Sequence, residues 1–597
     1  MTLEVGIGLA LADVPAEQAL ALVRQAEAGG LDLVVVTGEE GGFDPWTTAV
    51  WLAAGTGRIQ IGTHPPDWPF PAVAAKAVDS AEALTPARLV VGDHTWVSAP
   101  VDADAEALVE LSAPGLPVVV PVRTADDVAR VVALAVGLPR IRSTRPAAVR
   151  ARRRPGIAYD DVPASLAERA VEPGDPAYRS VRATYMRGGA PGLVLRPRTV
   201  EEVVDAVAFA RDHRHLPLGV RSGGHGISGR STNNGGLVVD VGALDDIEIL
   251  DEERRLVRVG PGATWKQVAA GLDSRGWAVG SGDYGGVGVG GLATAGGIGF
   301  LSRKHGLTID HLRAVELVLA DGSRVRASSD EHPDLFWAVR GAGANFGIAT
   351  AFELEVSEVA AVGWAQLVLV VPDLEEALLR FGEVATAAPR DTTVFFLTGQ
   401  PQQGQSVVQL YGMVESGDAD VIIERLTPFA ELGALVQQQV SLARYADVMG
   451  QAADVGPEGH HGGGDPAARS AFVPRMTPEL AADTAALLRS GLVRFFQLRT
   501  MGGAIADVPA DETAFAHRTP DFSAVAMGGD RAALDVAWDK LAHHFDGLYL
   551  SFETDLRPER LRDAFPPAVL TRLRDLKRRY DPQNLFRDNF NIDPEEG

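Results

Sequence analysis

The sequence predicts an α+β protein of several domains, in which a parallel β/α segment precedes a larger part built on an antiparallel sheet. Within residues 1–95, apolar strand-like runs alternate with helical patterns, which is typical of a parallel sheet or barrel. Residues 361–548 instead interleave longer apolar strands with amphipathic helices, which favours an antiparallel sheet with covering helices. Between these regions lie two glycine clusters, at 221–226 and 280–299.

The first segment is predicted to be a partial (β/α) barrel over residues 1–140. Its strand-like runs are VGIGLAL, LDLVVV, RIQIG and ARLVVG, and helices are expected to begin near Asp13, at Trp46 and at Pro71. One or two further units follow at 116–136. A complete (β/α)8 barrel takes about 250 residues, and this pattern breaks well short of that length.

An arginine- and proline-rich stretch, 141–158, is interpreted as a solvated linker. Seven arginines occur from Arg140 to Arg154. A basic run can bind nucleic acid, but in so acidic a chain it is expected to contact acidic surfaces of the protein itself. The stretch therefore marks a domain boundary.

The glycine clusters indicate a backbone that approaches a ligand closely. Ten of the twenty residues from Gly280 to Gly299 are glycine, far above the usual share of about 7%. Glycine tolerates positive φ and leaves its amide uncovered, so such loops can form nests of donors for a pyrophosphate. A dinucleotide is therefore expected. The pattern argues against a Rossmann domain, because His225 is followed by a polar turn and the strand LVVDV, where that fold requires a helix.

Six motifs in order, spread over residues 160–597, resemble the berberine-bridge-enzyme-like FAD oxidoreductases of the vanillyl-alcohol-oxidase superfamily. They are RSGGHGISG, LVVDVGAL, GVGVGGLATAGGIGFLSRKHGLTIDHL, LADGSRV, DLFWAVRGAGANFGIAT and RRYDPQNLFRDNFNI. The resemblance implies a PCMH-type FAD-binding domain at 159–360, an antiparallel-sheet substrate domain at 361–548, and a C-terminal segment at 549–597 that returns to the FAD domain.

The segment 1–140 is similar to the first half of a luciferase-like flavin monooxygenase barrel. The runs EAGGLDLVVV, DPWTTAVWLAAGTGRIQIGT and PAVAAKAVDSAEALTPARLVVG carry this likeness. Two interpretations remain open for this segment. It could hold a second flavin, or it could serve only packing, docking or dimerisation.

In the resembling family, the histidine that matches His225 is bonded covalently to the 8α-methyl carbon of FAD. Many members add a link from a cysteine at the position of Tyr284; because this chain has no cysteine, the resemblance implies a single link. A further family histidine is replaced by Leu292. Val287 matches the residue that gates oxygen, where valine resembles oxidases more than dehydrogenases, although it could also be a simple packing residue. The residues expected to bind FAD are Arg221, Ser222, Gly223, Gly224, His225, Gly226, Ser228, Gly282, Asp283, Tyr284, Val287, Gly288, Gly290, Gly291, Gly296, Gly297, Gly299, Ile348, Asn589 and Asn591.

The catalytic base has several candidates. Relatives supply it from a strand pattern resembling Tyr-x-Asn-Tyr, which reads YLSF from Tyr549, so the second tyrosine has lost its hydroxyl. Tyr284 is the first candidate, because relatives place that position at the flavin edge. Gln497 and Arg499 follow, since they alternate with apolar residues and so share one face of a predicted strand. Glu553 is a further choice.

Composition limits the partners and the compartment. The formal net charge is −24, so neither nucleic acid nor an anionic membrane is an expected partner. The absence of cysteine and of a basic, cleavable N-terminal signal predicts a reducing cytoplasm. His460 and His461 are adjacent and lack a third spaced ligand, so no metal site is expected.

These features predict an FAD-dependent oxidase. It would take hydride from an alcohol, an amine or an activated C–H carbon of a small organic substrate and pass the electrons to molecular oxygen. A homodimer is one assembly it could form. One alternative is a flavin dehydrogenase or an oxygenating enzyme of biosynthesis. The other is a catalytically dead flavin-binding interaction protein, which Phe552 and the truncated barrel would suit.

Overall fold

The computed structural model describes residues 5–11, 14–38, 44–57, 59–63, 89–91, 96–104, 107–108, 111, 117–136, 145, 147–453 and 465–595. The chain divides into two compact units. Unit 1 comprises Met1–Asp161 and Glu172–Tyr178, and unit 2 comprises Val162–Val171 and Arg179–Gly597. The predicted helix at Pro71, part of the predicted linker and the pair His460 and His461 lie outside the described residues.

Unit 1 is built on a parallel sheet. Its strands are β1 (Val5–Ala10), β2 (Leu33–Thr37), β3 (Gln60–Thr63), β4 (Leu89–Val91), β5 (Val97–Ser98) and β6 (Val118–Pro121), and its helices are α1 (Ala16–Ala28), α2 (Pro45–Ala54), α3 (Ala125–Val136) and α4 (Ala147–Arg150). The strand order is β4-β3-β2-β1-β6-β5, and the pairs are parallel. A Cβ on Gly6 of β1 would lie 2.5 Å from Leu33 O, so this close approach requires glycine. The predicted parallel sheet is confirmed. Among the described strands, the two ends of the sheet do not pair with each other, so it is open rather than closed into a barrel.

The first part of unit 2 contains three small sheets. Its strands are β7 (Ala170–Val171), β8 (Leu193–Leu195), β9 (Leu218–Arg221), β10 (Leu237–Asp240), β11 (Ile247–Asp251), β12 (Leu256–Val259), β13 (Trp277–Ala278), β14 (Leu312–Val318), β15 (Arg324–Ser328), β16 (Ile348–Glu355) and β17 (Ser357–Glu358). The helices here are α5 (Tyr178–Val181), α6 (Val200–Asp212), α7 (Trp265–Asp273), α8 (Val289–Ala295), α9 (Ser302–His305) and α10 (Pro333–Ala342). The sheet orders are β7-β8-β10-β9, β11-β12-β16-β14-β15 and β13-β17. Helix α6 begins after Thr199, whose side chain accepts a hydrogen bond from Glu202 N, so the helix predicted from Thr199 is present.

The second part of unit 2 is a seven-stranded antiparallel sheet with helices on it. Its strands are β18 (Val362–Val371), β19 (Thr392–Thr398), β20 (Ser406–Val414), β21 (Ala434–Ala443), β22 (Ala467–Val473), β23 (Phe495–Thr500) and β24 (Phe522–Gly528). The helices are α11 (Leu374–Ala387), α12 (Ala419–Ala430), α13 (Tyr445–Gly450), α14 (Pro478–Arg489), α15 (Ala504–Asp507) and α16 (Arg531–Asp539). The order is β21-β18-β20-β19-β23-β24-β22. A continuous core that includes Phe381, Phe396 and Phe429 fills the space between the sheet and the helices, which confirms the predicted antiparallel architecture.

A buried lysine contributes several of the hydrogen bonds that attach the C-terminal segment. After α17 (Arg560–Ala564) and α18 (Pro567–Tyr580), Lys577 Nζ donates to Asp581 Oδ2 at 2.8 Å, Asn345 O at 2.7 Å and Phe586 O at 2.8 Å. Asn345 Oδ1 in turn accepts from Ile592 N at 3.0 Å. These bonds hold the last residues against the loop before β16. No helix in the described residues is long and apolar enough to cross a membrane.

Candidate functional site

A large cavity in unit 2 collects most of the residues expected to bind FAD. It encloses about 1710 Å³ of empty space, part of which is open to solvent. The expected residues that line it are Ser222, Gly223, Gly224, His225, Gly226, Ser228, Gly282, Asp283, Val287, Gly288, Gly290, Gly291, Ile348 and Asn589. They come from separate stretches of the chain that only the fold brings together.

The two glycine clusters touch through their backbones in the cavity wall. A Cβ on Gly223 would lie 2.6 Å from Gly288 N, and a Cβ on Gly288 would lie 2.3 Å from Gly223 N and from Ser222 Oγ. No side chain fits at either position, so this contact requires glycine. Gly291, in contrast, has open space where a Cβ would stand, and its backbone can be approached by a ligand.

His225 lies in the cavity wall between two tyrosines. Its ring stacks on Tyr185 with 4.7 Å between centroids and lies 5.7 Å from the Tyr284 ring. Gly224 precedes it with a φ of 68° and accepts a hydrogen bond from Tyr185 N at 2.8 Å. The turn and the stacked ring thus hold the imidazole in one place at the cavity.

Two of the expected cofactor residues, Arg221 and Tyr284, do not line the cavity. Arg221 is buried and donates to Asp240 Oδ2 at 2.8 Å and to Val181 O. The Tyr284 hydroxyl donates to Ala453 O at 2.9 Å, and the residue does not line the cavity. Arg221 therefore supports the loop that carries His225. Because the Tyr284 hydroxyl already donates its proton to a backbone carbonyl, Tyr284 is a weaker candidate for the base.

Four more expected residues also fall outside the cavity lining. Gly296 and Gly297 have φ values of 148° and 85°, and a Cβ on Gly299 would lie 1.8 Å from Ser281 O. These glycines are needed for backbone conformation and close packing. Asn591 Oδ1 is buried and has no partner among the described residues.

Arg230 is a charged residue of the cavity that the sequence analysis missed. Its Nη1 donates to Asn589 Oδ1 at 3.2 Å, and its guanidinium carbon lies 3.7 Å from the centre of the Phe590 ring. Nε and Nη2 are buried, and no described residue accepts a hydrogen bond from them. Burial lowers the pKa of the Arg230 guanidinium to about 9, so the group is still a cation at neutral pH. In the sequence, this arginine was indistinguishable from one on the surface.

The cavity fits FAD. A buried hydrogen-bond donor without a partner lowers stability by about 1–3 kcal/mol, and by more when it is charged. An anionic ligand in the cavity would remove this cost for Arg230. The pyrophosphate of FAD supplies anionic oxygens. The glycine-lined wall has open space beside Gly291 at the same cavity, and glycine loops bind phosphate groups in other proteins.

Asp283, Gln497 and Arg499 form one hydrogen-bonded group. Gln497 Nε2 donates to Asp283 Oδ2 at 3.1 Å, and Arg499 donates to the same oxygen from Nε at 3.0 Å and from Nη2 at 2.9 Å. Arg499 Nη1 is buried and has no partner among the described residues. The Arg499 guanidinium also lies 4.1 Å from the centre of the Phe552 ring. Asp283 and Arg499 line the cavity, whereas Gln497 does not.

Tyr549 lines the cavity, but its backbone corrects the prediction of a strand. The residues after it, Leu550–Phe552, form a 3-10 helix. Ser470 Oγ donates to Tyr549 O at 2.8 Å and accepts from Tyr549 N at 3.1 Å, so a side chain satisfies the groups that a strand ladder would use. The hydroxyl accepts from Gly297 N at 3.0 Å, and burial raises the pKa of the phenol. Tyr549 therefore stays protonated at neutral pH and is a poor base.

Glu553 does not line the cavity, which corrects its place among the catalytic candidates. Its side chain is fully buried and accepts hydrogen bonds from Ser470 N at 3.1 Å, Thr554 N at 2.8 Å, Asp555 N at 2.7 Å and Arg469 Nη1 at 3.1 Å. Burial raises the pKa of Glu553. The carboxyl thus organises the chain around it, a role that the sequence pattern could not reveal because it depends on distant partners.

The described residues include one cluster of three potential metal ligands, Asp483, His543 and His544, with ligand atoms within 4.8 Å of one another. His544 Nε2 lies 3.0 Å from Asp483 Oδ2, and His543 Nδ1 is bonded to Lys540 O at 2.9 Å. None of them lines the cavity.

Three family models match the chain. One described as an FAD binding domain matches residues 191–328, one described as a luciferase-like monooxygenase matches residues 4–104, and one described as berberine and berberine like matches residues 568–593. The second lies within unit 1 and the other two within unit 2.

Relatives and solved structures agree with these matches. The (R)-6-hydroxynicotine oxidase of Paenarthrobacter nicotinovorans is 29% identical over 68% of this chain and 92% of that relative. The xylooligosaccharide oxidase of Thermothelomyces thermophilus is 41% identical over 28% of this chain and 33% of that relative. The crystal structure of 6-hydroxy-D-nicotine oxidase from Arthrobacter nicotinovorans superposes with a TM-score of 0.64 at 26% identity, over 71% of this chain and 98% of that chain. The chain is therefore an FAD-linked oxidoreductase with a PCMH-type FAD-binding fold, a C-terminal segment similar to berberine-like proteins and an N-terminal domain similar to luciferase-like monooxygenases.

Proposed function

We propose that this protein is an oxidase that takes hydride from an alcohol, an amine or an activated C–H carbon of a small organic substrate and reduces oxygen to hydrogen peroxide. The observation that carries the proposal is the cavity, where the glycine-lined wall, His225 and the pair Asp283 and Arg499 meet. The oxidase names of the relatives support it. Bound FAD supplies the hydride acceptor and the route of electrons to oxygen.

We further propose that FAD is held by a single covalent link at His225. The imidazole is in the cavity wall, and Tyr185 and the Gly224 turn fix its position. The absence of cysteine from the chain rules out a second link through sulfur. In addition, the Arg230 guanidinium binds an anionic oxygen of the same cofactor noncovalently.

Asp283 is the proton acceptor in this proposal. Of the catalytic candidates, Tyr284 is bonded elsewhere, Tyr549 stays protonated and Glu553 lies outside the cavity lining. Asp283 lines the cavity, and its Oδ2 is held by Arg499 and Gln497. Its Oδ1 accepts no hydrogen bond from the described residues and is therefore available to a substrate hydroxyl or amine.

Arg499 and Val287 complete the site. Arg499 fixes the Asp283 carboxylate and keeps Nη1 for a substrate acceptor. Val287 also lines the cavity, and in this proposal it controls the access of oxygen to the reduced flavin. We also propose a cytoplasmic location, which the absence of cysteine supports.

The proposal is tested without knowledge of the substrate. The purified protein is acid-precipitated, and flavin absorbance and peptide masses are recorded for pellet and supernatant. We expect colour in the pellet and a His225 peptide heavier by one FAD. In a separate sample of the folded protein, the bound flavin is reduced by light without oxygen and mixed with aerated buffer. We expect fast reoxidation and one peroxide per flavin. Slow reoxidation without peroxide contradicts the oxidase and favours a dehydrogenase or an inactive protein.

A further inference from the structure

A cluster of histidine and carboxylate groups lies outside the cavity lining, on the helices that cover the seven-stranded sheet. Asp483 belongs to α14, and His543 and His544 belong to the 3-10 helix Ala542–His544, which follows α16. One ring nitrogen of each histidine and one carboxylate oxygen of Asp483 lie within 4.8 Å of one another. The fold therefore brings to an adjacent pair of histidines a third ligand that is distant in the sequence.

The spacing of Asp483 and His544 fits a metal ion between them. Oδ2 of Asp483 lies 3.0 Å from Nε2 of His544. Zinc binds histidine nitrogen at about 2.0–2.1 Å and carboxylate oxygen at about 2.0–2.2 Å, so two such atoms on one ion lie about 2.9–3.4 Å apart. An ion at this place would replace the proton that His544 donates to Asp483.

A backbone hydrogen bond prepares His543 as a metal ligand. Its Nδ1 lies 2.9 Å from Lys540 O. Because a carbonyl oxygen only accepts, Nδ1 carries the proton, and the free lone pair of the neutral ring is on Nε2. Histidines that bind metals commonly have their second ring nitrogen held in this way by a carbonyl or a carboxylate. The bond to Lys540 thus fixes the tautomer that a metal requires.

The elements that carry the three side chains pack on each other. Thr484, the neighbour of Asp483 in α14, lines a small cavity together with Leu541 and Phe545, which stand on either side of the 3-10 helix. The Phe545 ring also lies 5.0 Å from the Trp538 ring of α16. The backbone positions of the ligands are therefore set before a metal binds, which reduces the entropy lost on binding.

The donor atoms select the type of ion. Imidazole groups suit zinc, copper and nickel ions, whereas magnesium and calcium prefer oxygen ligands. Asp483 and His543 are exposed, so water can complete the coordination of an ion that they hold.

We propose that Asp483, His543 and His544 bind one divalent transition-metal ion of the zinc type. The ion would join α14 to the chain that follows α16 and so stabilise the helices that cover the sheet. This inference concerns a separate site and does not depend on the proposed oxidase chemistry.

The chain contains a matched control for the test, because His460 and His461 are also adjacent histidines. The full-length chain, purified without a histidine tag and treated with a chelator, is titrated with zinc chloride in a calorimeter. We expect one zinc ion per chain. Asp483→Asn and His544→Gln should each weaken binding by more than about 10-fold, since even the loss of a partner that only orients a ligand has an effect of this size. A His460→Ala, His461→Ala variant should bind zinc as the unmodified chain does.

A second measurement uses thermal unfolding. A metal that binds only the folded chain raises the unfolding midpoint. We expect zinc chloride to raise the midpoint of the unmodified chain and of the His460→Ala, His461→Ala variant but not that of Asp483→Asn or His544→Gln, and we expect magnesium chloride to raise none of them. Similar midpoints without zinc would show that all variants fold.

Three results would overturn the proposal. The first is an unmodified chain that binds no zinc. The second is zinc binding by Asp483→Asn and His544→Gln that is as tight as binding by the unmodified chain. The third is loss of zinc binding in the His460→Ala, His461→Ala variant.

Discussion

Arg499 donates two hydrogen bonds to the same oxygen of Asp283, from Nε at 3.0 Å and from Nη2 at 2.9 Å. The two residues are separated by more than two hundred positions in the chain, yet both line the cavity. Hydrogen bonds between ionised partners are shorter and stronger than neutral ones. This pair therefore holds a carboxylate in one orientation at the cavity.

We expect Asp283→Asn to lower the rate of flavin reduction by substrate by about 10²–10⁴-fold, because an amide cannot accept the proton. Flavin content should be unchanged. The measurement is anaerobic bleaching in a stopped-flow instrument with any substrate found by screening. Asp507→Asn is the control, since Asp507 is also bound by an arginine, Arg390, but is exposed and lies outside the cavity lining. A rate within a few-fold of the unmodified protein would exclude Asp283 as the base.

We expect His225→Ala to lose the covalent flavin. Acid precipitation should leave colour in the supernatant, and no peptide should carry the mass of FAD. His215→Ala is the control, because His215 is an exposed histidine ten residues earlier. Flavin that remains in the pellet of the His225 variant would show that another residue carries the link.

We expect Arg230→Leu to weaken FAD binding by about 10- to 100-fold in a His225→Ala background, since a hydrogen bond to a charged group contributes about 1.5–3 kcal/mol. Arg230→Lys should recover part of the loss, because it keeps the charge but not the guanidinium shape. FAD affinity is measured by fluorescence titration of the flavin-free protein. Arg254→Leu, at an exposed position, is the control. Equal affinities in all variants would mean that Arg230 does not contact the cofactor.

We expect His311 to make unit 2 less stable at acidic pH. Burial lowers the pKa of His311 to about 4 from its usual 6.5, and its buried Nε2 has no partner among the described residues. Between these two pH values the unfolded chain binds a proton at this histidine that the folded chain does not. The free energy of unfolding is therefore unaffected by His311 above pH 6.5, and it falls by up to about 3 kcal/mol as the pH drops to about 4.

This loss is measured by urea unfolding across that pH window. His311→Gln removes the titrating group, and its stability should change less with pH than that of the unmodified protein. His543→Gln, at an exposed histidine, should behave as the unmodified protein does. Parallel pH profiles for the unmodified protein and His311→Gln would rule out this effect.

Much of the fold could be predicted because periodic patterns report local structure. The helix predicted from Thr199 is α6, and the run SVVQLYGMV is β20. Such runs bury one face, and burial of alternate or every third to fourth residue is visible in a linear sequence. The pattern from Tyr549 predicts a strand, and this prediction is wrong. The Ser470 side chain, distant in the sequence, binds the Tyr549 backbone groups that a neighbouring strand would otherwise bind.

The sequence by itself indicated the class of FAD-linked oxidoreductase, the cofactor and the two glycine clusters, because these are visible as motifs and composition along the chain. That Gly223 and Gly288 must be glycine follows from their contact with each other, which only the fold creates. The tertiary structure decided which polar residues act together. It removed Glu553 from the site, revealed Arg230 and joined Asp283 to Arg499. The physical reason is that burial and hydrogen bonding of a charged group depend on partners far away in the chain, and no local pattern records them.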